Sequence, residues 1–116
     1  MEYLVEMTLA AQPKTPEEGM SLMEIYILPT LAIAEKLKEE NKIISGGPIV
    51  GKIAIAMIVK ADSAIELDGL ISSLPVWSRM QTTVTPLTSF TDRENIVRQL
   101  LEAVKDRING KTFVQA

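Results

Sequence analysis

The order of strand-like and helix-like patterns most constrains how this chain can fold. The chain opens with an alternating run, Tyr3 to Leu9, in which every second residue is apolar, as in a strand with one buried face. Thr15-Pro16-Glu17-Glu18 follows, and a capping threonine, a proline and a glutamate at these positions predict a helix start. We expect this helix to continue to about Glu40, with Pro29 kinking it or loosening one turn.

The apolar residues of this predicted helix indicate which side is buried. The expected core stripe consists of Met20, Met23, Ile27, Leu31 and Ala34. Other sides are apolar as well, at Leu22, Ile25, Tyr26 and Ile33. A helix that is apolar on more than one side needs a second cover, and in so small a domain we expect another subunit to supply it.

Two further strands are predicted in the middle of the chain. Lys42-Ile43-Ile44-Ser45 is typical of a strand start, and Gly46-Gly47-Pro48 is expected to break it. Ile53 to Val59 is apolar at every position, which predicts a strand in the centre of a sheet. The segment from Gly46 to Lys52 has the spacing of a phosphate-binding loop. However, Ile53 follows where such a loop requires Ser or Thr and a helix, so we predict a turn between two strands.

The last third of the chain contains two more helix starts with a strand between them. Ser63-Ala64-Ile65-Glu66 opens a helix that is expected to run to about Ser73. Alternation from about Arg79 to Thr85 predicts a strand. Thr91-Asp92-Arg93-Glu94 then opens a C-terminal helix, which Asn109-Gly110 is expected to stop. The apolar residues of this last helix are Ile96, Val97, Leu100, Leu101, Val104 and Ile108.

The resulting order is β-α-β-β-α-β followed by one extra helix, which is the split βαβ or ferredoxin-like topology. We therefore predict an α+β fold in a single domain, residues 1–116, with a ferredoxin-like core over 1–90 and a C-terminal helix and tail over 91–116. Both crossovers place their helices on one face of an antiparallel sheet. The other face must be covered, and a second copy would do so as a dimeric α/β barrel.

Composition excludes several classes of function. The chain has no histidine and no cysteine, which rules out a Ser-His-Asp triad, thiol catalysis and zinc-thiolate sites. A net charge of −3 with no cluster of lysines and arginines argues against a nucleic-acid partner. The acids Asp62, Glu66 and Asp68 are interpreted as a capped helix start, not as a metal site. With no signal-peptide pattern and no long apolar run, we expect a cytoplasmic protein without a membrane partner.

Acid–base chemistry would then have to come from carboxylates. Glu24 and Glu35 on the first helix are the predicted catalytic residues, and Glu24 borders the expected core stripe. The alternative for Glu24 is a solvated rim residue or a partner of a lysine. The predicted substrate-binding residues are Trp77, Arg79, Tyr26 and Met80. A lone arginine beside an aromatic residue suits a carboxylate anchor, although Arg79 could instead stack on Trp77 or contact another subunit.

Residues 74–87 read Leu-Pro-Val-Trp-Ser-Arg-Met-Gln-Thr-Thr-Val-Thr-Pro-Leu and resemble the signature of the muconolactone isomerase family. The matching positions are Leu74, Pro75, Trp77, Met80, Val84, Thr85, Pro86 and Leu87. Upstream, Ala34-Glu35-Lys36-Leu37 with Asn41-Lys42 resembles the end of the family's first helix. The likeness covers roughly residues 1 to 90 and leaves out the C-terminal helix.

The resemblance implies a dimeric α/β barrel, assembly with itself into dimers or larger rings, and a small-molecule ligand. It also implies a reaction without cofactor or metal, in which a double bond shifts within a lactone that bears a carboxymethyl group. Glu24 or Glu35 would be the base, and Arg79 would anchor the carboxylate. The chain departs from the family in lacking histidine and in being more aliphatic. Two alternatives therefore stay open: a non-catalytic oligomeric binding protein of the same fold, and a cofactor-free monooxygenase.

Overall fold

The computed structural model describes residues 1–114, and the side chains of residues 1–110. Its elements follow the predicted order. They are β1 (Glu2–Leu9), α1 (Pro16–Ser21), a π-helical segment (Leu22–Ile27), α2 (Leu28–Glu39), β2 (Ile43–Pro48), β3 (Ala54–Lys60), α3 (Ala64–Ser72), a 3-10 segment (Pro75–Arg79), β4 (Met80–Leu87) and α4 (Phe90–Val114).

The four strands form one sheet in the order β2-β3-β1-β4, with every neighbouring pair antiparallel. The central position predicted for β3 is therefore confirmed, because β3 lies between β2 and β1. On β1 the residues Tyr3, Val5 and Met7 are buried, as the alternation predicts. Val5 lies opposite Met57 of β3 and Val84 of β4. This arrangement confirms the predicted α+β, ferredoxin-like fold.

The core lies between one face of the sheet and the helices. Its buried residues are Tyr3, Val5, Met7, Ile43, Ile55, Met57, Val59, Ala61, Leu67, Ile71, Leu74 and Val76. We call the continuous helix formed by α1, the π-helical segment and α2 the first long helix. Its partly buried residues, including Tyr26, Ile27 and Ala34, pack against this cluster. Thr30 is buried among them with 1% of its surface exposed. Among residues 1–110 no helix covers the opposite face of the sheet, and Leu4 and Ile58 are half-buried there.

The predicted core stripe of the first helix is wrong at three positions. Met20 and Met23 are 53% and 54% exposed and Leu31 is 38% exposed, whereas Leu22 is buried. Relative to Ile27 and Ala34, which do pack against the core, Met20 and Met23 lie across the π-helical segment, in which the N–H of Leu28 bonds to the carbonyl of Met23, five residues back. A π turn contains an additional residue, so the buried side shifts by about one position relative to a regular α-helix. The loosened turn before Pro29 agrees with the prediction for that proline.

The predicted break of β2 at its glycines is also wrong, because the strand continues to Pro48. A bulge shifts the register between Ile43 and Ser45, after which Gly46 pairs with Met57. Gly46 has a φ of 107°, and a Cβ atom there would lie 2.2 Å from the carbonyl oxygen of Ala56. Glycine at this position therefore allows the strand to continue. The predicted turn lies after the strand, where Gly51 has a φ of 86°.

The C-terminal helix differs from its prediction at both ends. The hydroxyl of Ser89 accepts the N–H of Asp92 at 3.0 Å, so Ser89 caps the helix and Thr91 lies inside it. At the other end α4 passes through Gly110 and reaches Val114, because one glycine costs only about 1 kcal/mol in a helix. No helix within residues 1–114 is long and apolar enough to cross a bilayer.

Candidate functional site

The guanidinium of Arg79 is stacked on the ring of Tyr26. Its Cζ atom lies 4.7 Å from the ring centroid, and Nη2 donates to the Tyr26 hydroxyl at 3.2 Å. Arg79 thus stacks on Tyr26 and not on Trp77, which was the alternative drawn from the sequence. An arginine has five N–H donors in a planar fork. The contact with Tyr26 uses one of them.

A buried hydroxyl positions the two segments that carry this pair. Tyr26 lies in the π-helical segment, and Arg79 ends the 3-10 segment. The hydroxyl of Thr30 donates to the carbonyl of Tyr26 at 2.6 Å and accepts the N–H of Val76 at 3.0 Å. Sequence reasoning missed Thr30, because its partner Val76 is 46 residues away and no local pattern marks such a contact.

Arg79 and Tyr26 line an open cavity of about 520 Å³ between the end of β1 and the start of the first helix. Three more charged residues line it: Lys14, Glu17 and Glu18. The carboxylate of Glu18 accepts the backbone N–H of Lys14 at 2.7 Å, so Glu18 serves the helix cap. Glu17 is the carboxylate of this cavity that the cap does not use. The cavity therefore combines two cations, a phenol and a carboxylate.

A second, smaller cavity of about 180 Å³ lies between the first long helix and strands β2 and β3. Its walls are mainly apolar, and Lys52 is the one charged residue among them. The apolar lining consists of Ile27, Leu31, Pro48, Ile53, Ala54, Ile55, Val76 and Met80. A cavity of this character can hold an apolar group but contains no carboxylate for proton transfer.

A third cavity, of about 300 Å³, follows the same side of the helix toward its C-terminal end. Glu35 and Lys38 are its charged residues. Gly46 and Gly47 of β2 form part of the opposite wall, and the space at the Cβ position of Gly47 is open. Glu35 is exposed at this site.

The structure distributes the predicted site residues over several places. Arg79 and Tyr26 share the first cavity, Met80 lines the second, and Glu35 lines the third. Glu24 is exposed and Trp77 is 44% exposed, and neither lines any of these three cavities. The prediction for Glu24 assumed a regular α-helix through that turn. The π-helical segment changes the direction of the side chain, so Glu24 does not border the core.

The carboxylates beside Arg79 are thus Glu17 and Glu18, which the sequence had indicated only as a helix start. Among residues 1–114, no three acidic side chains converge to form a metal site. Glu66 accepts the N–H of Asp62 at 2.9 Å, which confirms the interpretation of those acids as a capped helix start.

Comparison with known proteins gives a consistent assignment of family and fold. The family model for muconolactone delta-isomerase matches residues 1–93. The structure is similar to that of a muconolactone isomerase, with a TM-score of 0.63 and 21% identity over 77% of this chain and 90% of that chain. It is also similar to 5-chloro-2-hydroxyhydroquinone dehydrochlorinase from Burkholderia phenoliruptrix AC1100, in complex with 2,5-dihydroxybenzoquinone. That match has a TM-score of 0.57 and 21% identity over 79% of this chain and 98% of that chain.

A search among curated proteins finds no significant match. At 21% identity the two solved structures establish the shared fold alone. The family model covers more than half of the chain and ends within the first turn of α4. It includes Lys14 in the connector between β1 and α1, Tyr26 in the π-helical segment and Arg79 in the 3-10 segment. The chain therefore belongs to the muconolactone delta-isomerase family.

Proposed function

We propose that the protein catalyses a double-bond isomerisation of a small carboxylated lactone without a cofactor. The observation that carries this proposal is the cavity in which Arg79, held on Tyr26, faces the same space as Lys14 and Glu17. A guanidinium fork binds a carboxylate in a bidentate geometry and so orients the ring of the substrate. In this proposal the carboxylate of Glu17, which lines the same cavity, removes the proton.

The proposed reaction moves one proton and consumes no other reagent. The base removes a proton from the ring carbon that bears the carboxymethyl group, at the far end of the conjugated system from the lactone carbonyl, and the electron pair of that C–H bond forms a dienolate. N–H or O–H donors stabilise the negative oxygen of this intermediate, and the ammonium of Lys14 and the hydroxyl of Tyr26 are the candidates in the cavity. The protonated carboxyl group then returns the proton to the carbon next to the lactone carbonyl, which shifts the double bond.

Three carboxylates are candidates for the base. We place Glu17 first, because it shares the cavity of Arg79. Glu35 remains a candidate in the cavity that it shares with Lys38. Glu24, which is exposed in the single chain, remains a candidate only where a partner subunit encloses it.

The same proposal includes assembly of the protein with itself. The open face of the sheet carries the half-buried residues Leu4 and Ile58 at its centre. Apolar residues at the centre of an uncovered sheet favour a second copy as the cover, as in a dimeric α/β barrel. A symmetric contact between the open sheet faces of two copies would complete the barrel.

The second cavity favours a different function. Its apolar walls, with Lys52 as the one charged residue, fit a ligand that is bound without acid–base chemistry. A non-catalytic binding protein of this fold is one such function. A monooxygenase that oxidises a polycyclic aromatic substrate without a cofactor is the other. Both require an apolar ligand rather than a carboxylated one.

The test is an ultraviolet assay of muconolactone isomerisation. We expect turnover by the wild type. Arg79→Ala should raise KM at least 10-fold, and Arg79→Lys should have a KM between those of Arg79→Ala and the wild type. Of Glu17→Gln, Glu24→Gln and Glu35→Gln, we expect the first to lower kcat by at least 100-fold. Glu102→Gln on the exposed side of α4 is the matched control and should retain full activity.

Absence of turnover at high concentrations of wild-type enzyme would refute the isomerase proposal. In that case, binding is measured by titration with apolar aromatic compounds, with the fluorescence of Trp77 as the signal. Oxygen consumption in the same samples separates a monooxygenase from a binding protein. If Glu35→Gln lowers kcat and Glu17→Gln does not, the third cavity is the active site and the first cavity is not.

A further inference from the structure

The C-terminal helix α4 has an apolar side with no partner within the described chain. Six large residues on it are 45–62% exposed: Ile96, Val97, Leu100, Leu101, Val104 and Ile108. We call these six residues the α4 stripe. Only Thr88 and Ser89 separate α4 from β4, and the structure is 79 Å long against 31 and 25 Å in its other dimensions. The helix therefore projects from the ferredoxin-like body.

A projecting helix of this kind requires a partner for its apolar side. Most of the stability of a helix in a protein comes from packing of an amphipathic face and not from intrinsic propensity. The family model ends at residue 93, so the stripe belongs to a part of the chain that the family pattern does not include.

A second apolar surface without a partner lies on the first long helix. Met20, Met23 and Leu28 are 53%, 54% and 60% exposed. Met20 and Met23 are three residues apart, and Leu28 lies one π turn beyond Met23, since its N–H bonds to the Met23 carbonyl. The three side chains therefore share one outward side, which we call the Met face. The acidic residue Glu24 follows Met23 directly.

We propose that the α4 stripe of one copy packs on the Met face of a second copy, and that the two copies exchange their helices reciprocally. The proposal concerns a contact that the sheet-to-sheet barrel does not include. It does not depend on whether the protein is an isomerase.

Charge favours the Met face over a second α4 as the receiving surface. At 100° per residue, Arg93 and Arg107 fall on the same side of α4 as Leu100 and Val104. Pairing two stripes, in parallel or in antiparallel orientation, would bring arginines of the two copies together. Residues 16–40 instead carry six glutamates against two lysines, so the first long helix is strongly acidic. Opposite charge thus borders the two apolar surfaces.

The area also favours reciprocal exchange over a single contact. Burying each stripe residue removes roughly 80 Å² from water, or about 500 Å² for the whole stripe. A single contact would therefore bury about 1,000 Å² over both partners, below the usual range of stable interfaces. Two equivalent contacts would bury about 2,000 Å², which is typical of a stable dimer.

Disulfide crosslinking tests the contact directly, because the natural chain contains no cysteine. Two single variants, Met23→Cys and Leu101→Cys, are co-expressed with tags of different size and oxidised. We expect the mixed, disulfide-linked dimer to be the main crosslinked product. The matched control replaces Leu101→Cys by Gln99→Cys, whose side chain lies on the opposite side of α4, and should form at least 10-fold less of this dimer.

The competing arrangements give different products. A dominant dimer of Leu101→Cys with itself would mean that two α4 helices pair, and it would overturn the proposal. Equal crosslinking of Gln99→Cys and Leu101→Cys to Met23→Cys would overturn it as well, since it would reflect random collision.

Sedimentation equilibrium supplies a second measurement. The double variant Leu100→Glu/Val104→Glu changes exposed stripe residues, and Asn95→Glu/Gln99→Glu adds the same charge on the opposite side of α4. Circular dichroism verifies that both retain their helix content. We expect the stripe variant to weaken self-association at least 10-fold relative to the control. Equal association of the two variants would refute the proposal.

Discussion

Thr30 offers the sharpest test of how the site is held together. The substitution Thr30→Val keeps the shape of a side chain that is 1% exposed but removes the hydroxyl. The N–H of Val76, itself buried, then loses its acceptor at 3.0 Å, and the carbonyl of Tyr26 loses its donor at 2.6 Å. A buried N–H without a partner costs about 1–3 kcal/mol. We expect the free energy of unfolding to fall by that amount.

Thr30→Ser is the matched control, because it retains the hydroxyl and removes one methyl group at a cost of about 1 kcal/mol. Urea unfolding at one fixed protein concentration measures both variants, since self-association would otherwise alter their apparent stability. Trp77 is the only tryptophan of the chain and follows Val76 directly, so its fluorescence reports on the 3-10 segment. If Thr30→Val unfolds within about 0.5 kcal/mol of the wild type, the hydroxyl bridge does not contribute as described.

Three further predictions follow from single contacts. Gly46→Ala should lower the free energy of unfolding by about 2 kcal/mol or more, because its Cβ would meet the Ala56 carbonyl at 2.2 Å and φ is 107°. Gly47→Ala, with open space around its Cβ position, should stay within about 1 kcal/mol of the wild type in the same urea titration. Tyr26→Phe keeps the ring under Arg79 and removes only the hydroxyl, so calorimetry should find carboxylate binding weakened by less than about 10-fold, against a larger loss for Tyr26→Leu. Glu94→Gln removes an ion pair whose side chains are 72% and 60% exposed, and thermal unfolding should change by no more than about 0.5 kcal/mol.

Local patterns in the sequence determine most of the secondary structure. The hydroxyls of Thr15 and Ser63 cap their helices as predicted, at 3.1 Å from the N–H groups of Glu18 and Glu66. Each of these contacts joins residues three positions apart, so both partners belong to one short sequence motif. Alternation along β1 likewise identifies its buried side, because side chains of a strand point to opposite faces with a fixed period of two. These patterns suffice for the element order and hence for the fold.

The candidate site depends on contacts that no local pattern contains. The π-helical segment shifts the buried side of the first helix, which exposes Met23 and Glu24 and removes Glu24 from the core side. The hydroxyl of Thr30 then connects this helix to Val76, and that contact brings the 3-10 segment with Arg79 against Tyr26. A cavity with Glu17 and Lys14 results from this packing.

The sequence alone thus determined the ferredoxin-like topology and the likeness to the isomerase family, because helix caps, periodicity and motifs within a few residues encode them. Only the tertiary structure decided which carboxylate shares a cavity with Arg79 and which apolar residues stay exposed. Those outcomes depend on the phase of one helix turn and on contacts between segments about 50 residues apart. A helix phase is the sum of its turns, so a single π turn shifts the residues on one side of it relative to those on the other, and Pro29 indicated only that a turn would be kinked or loosened.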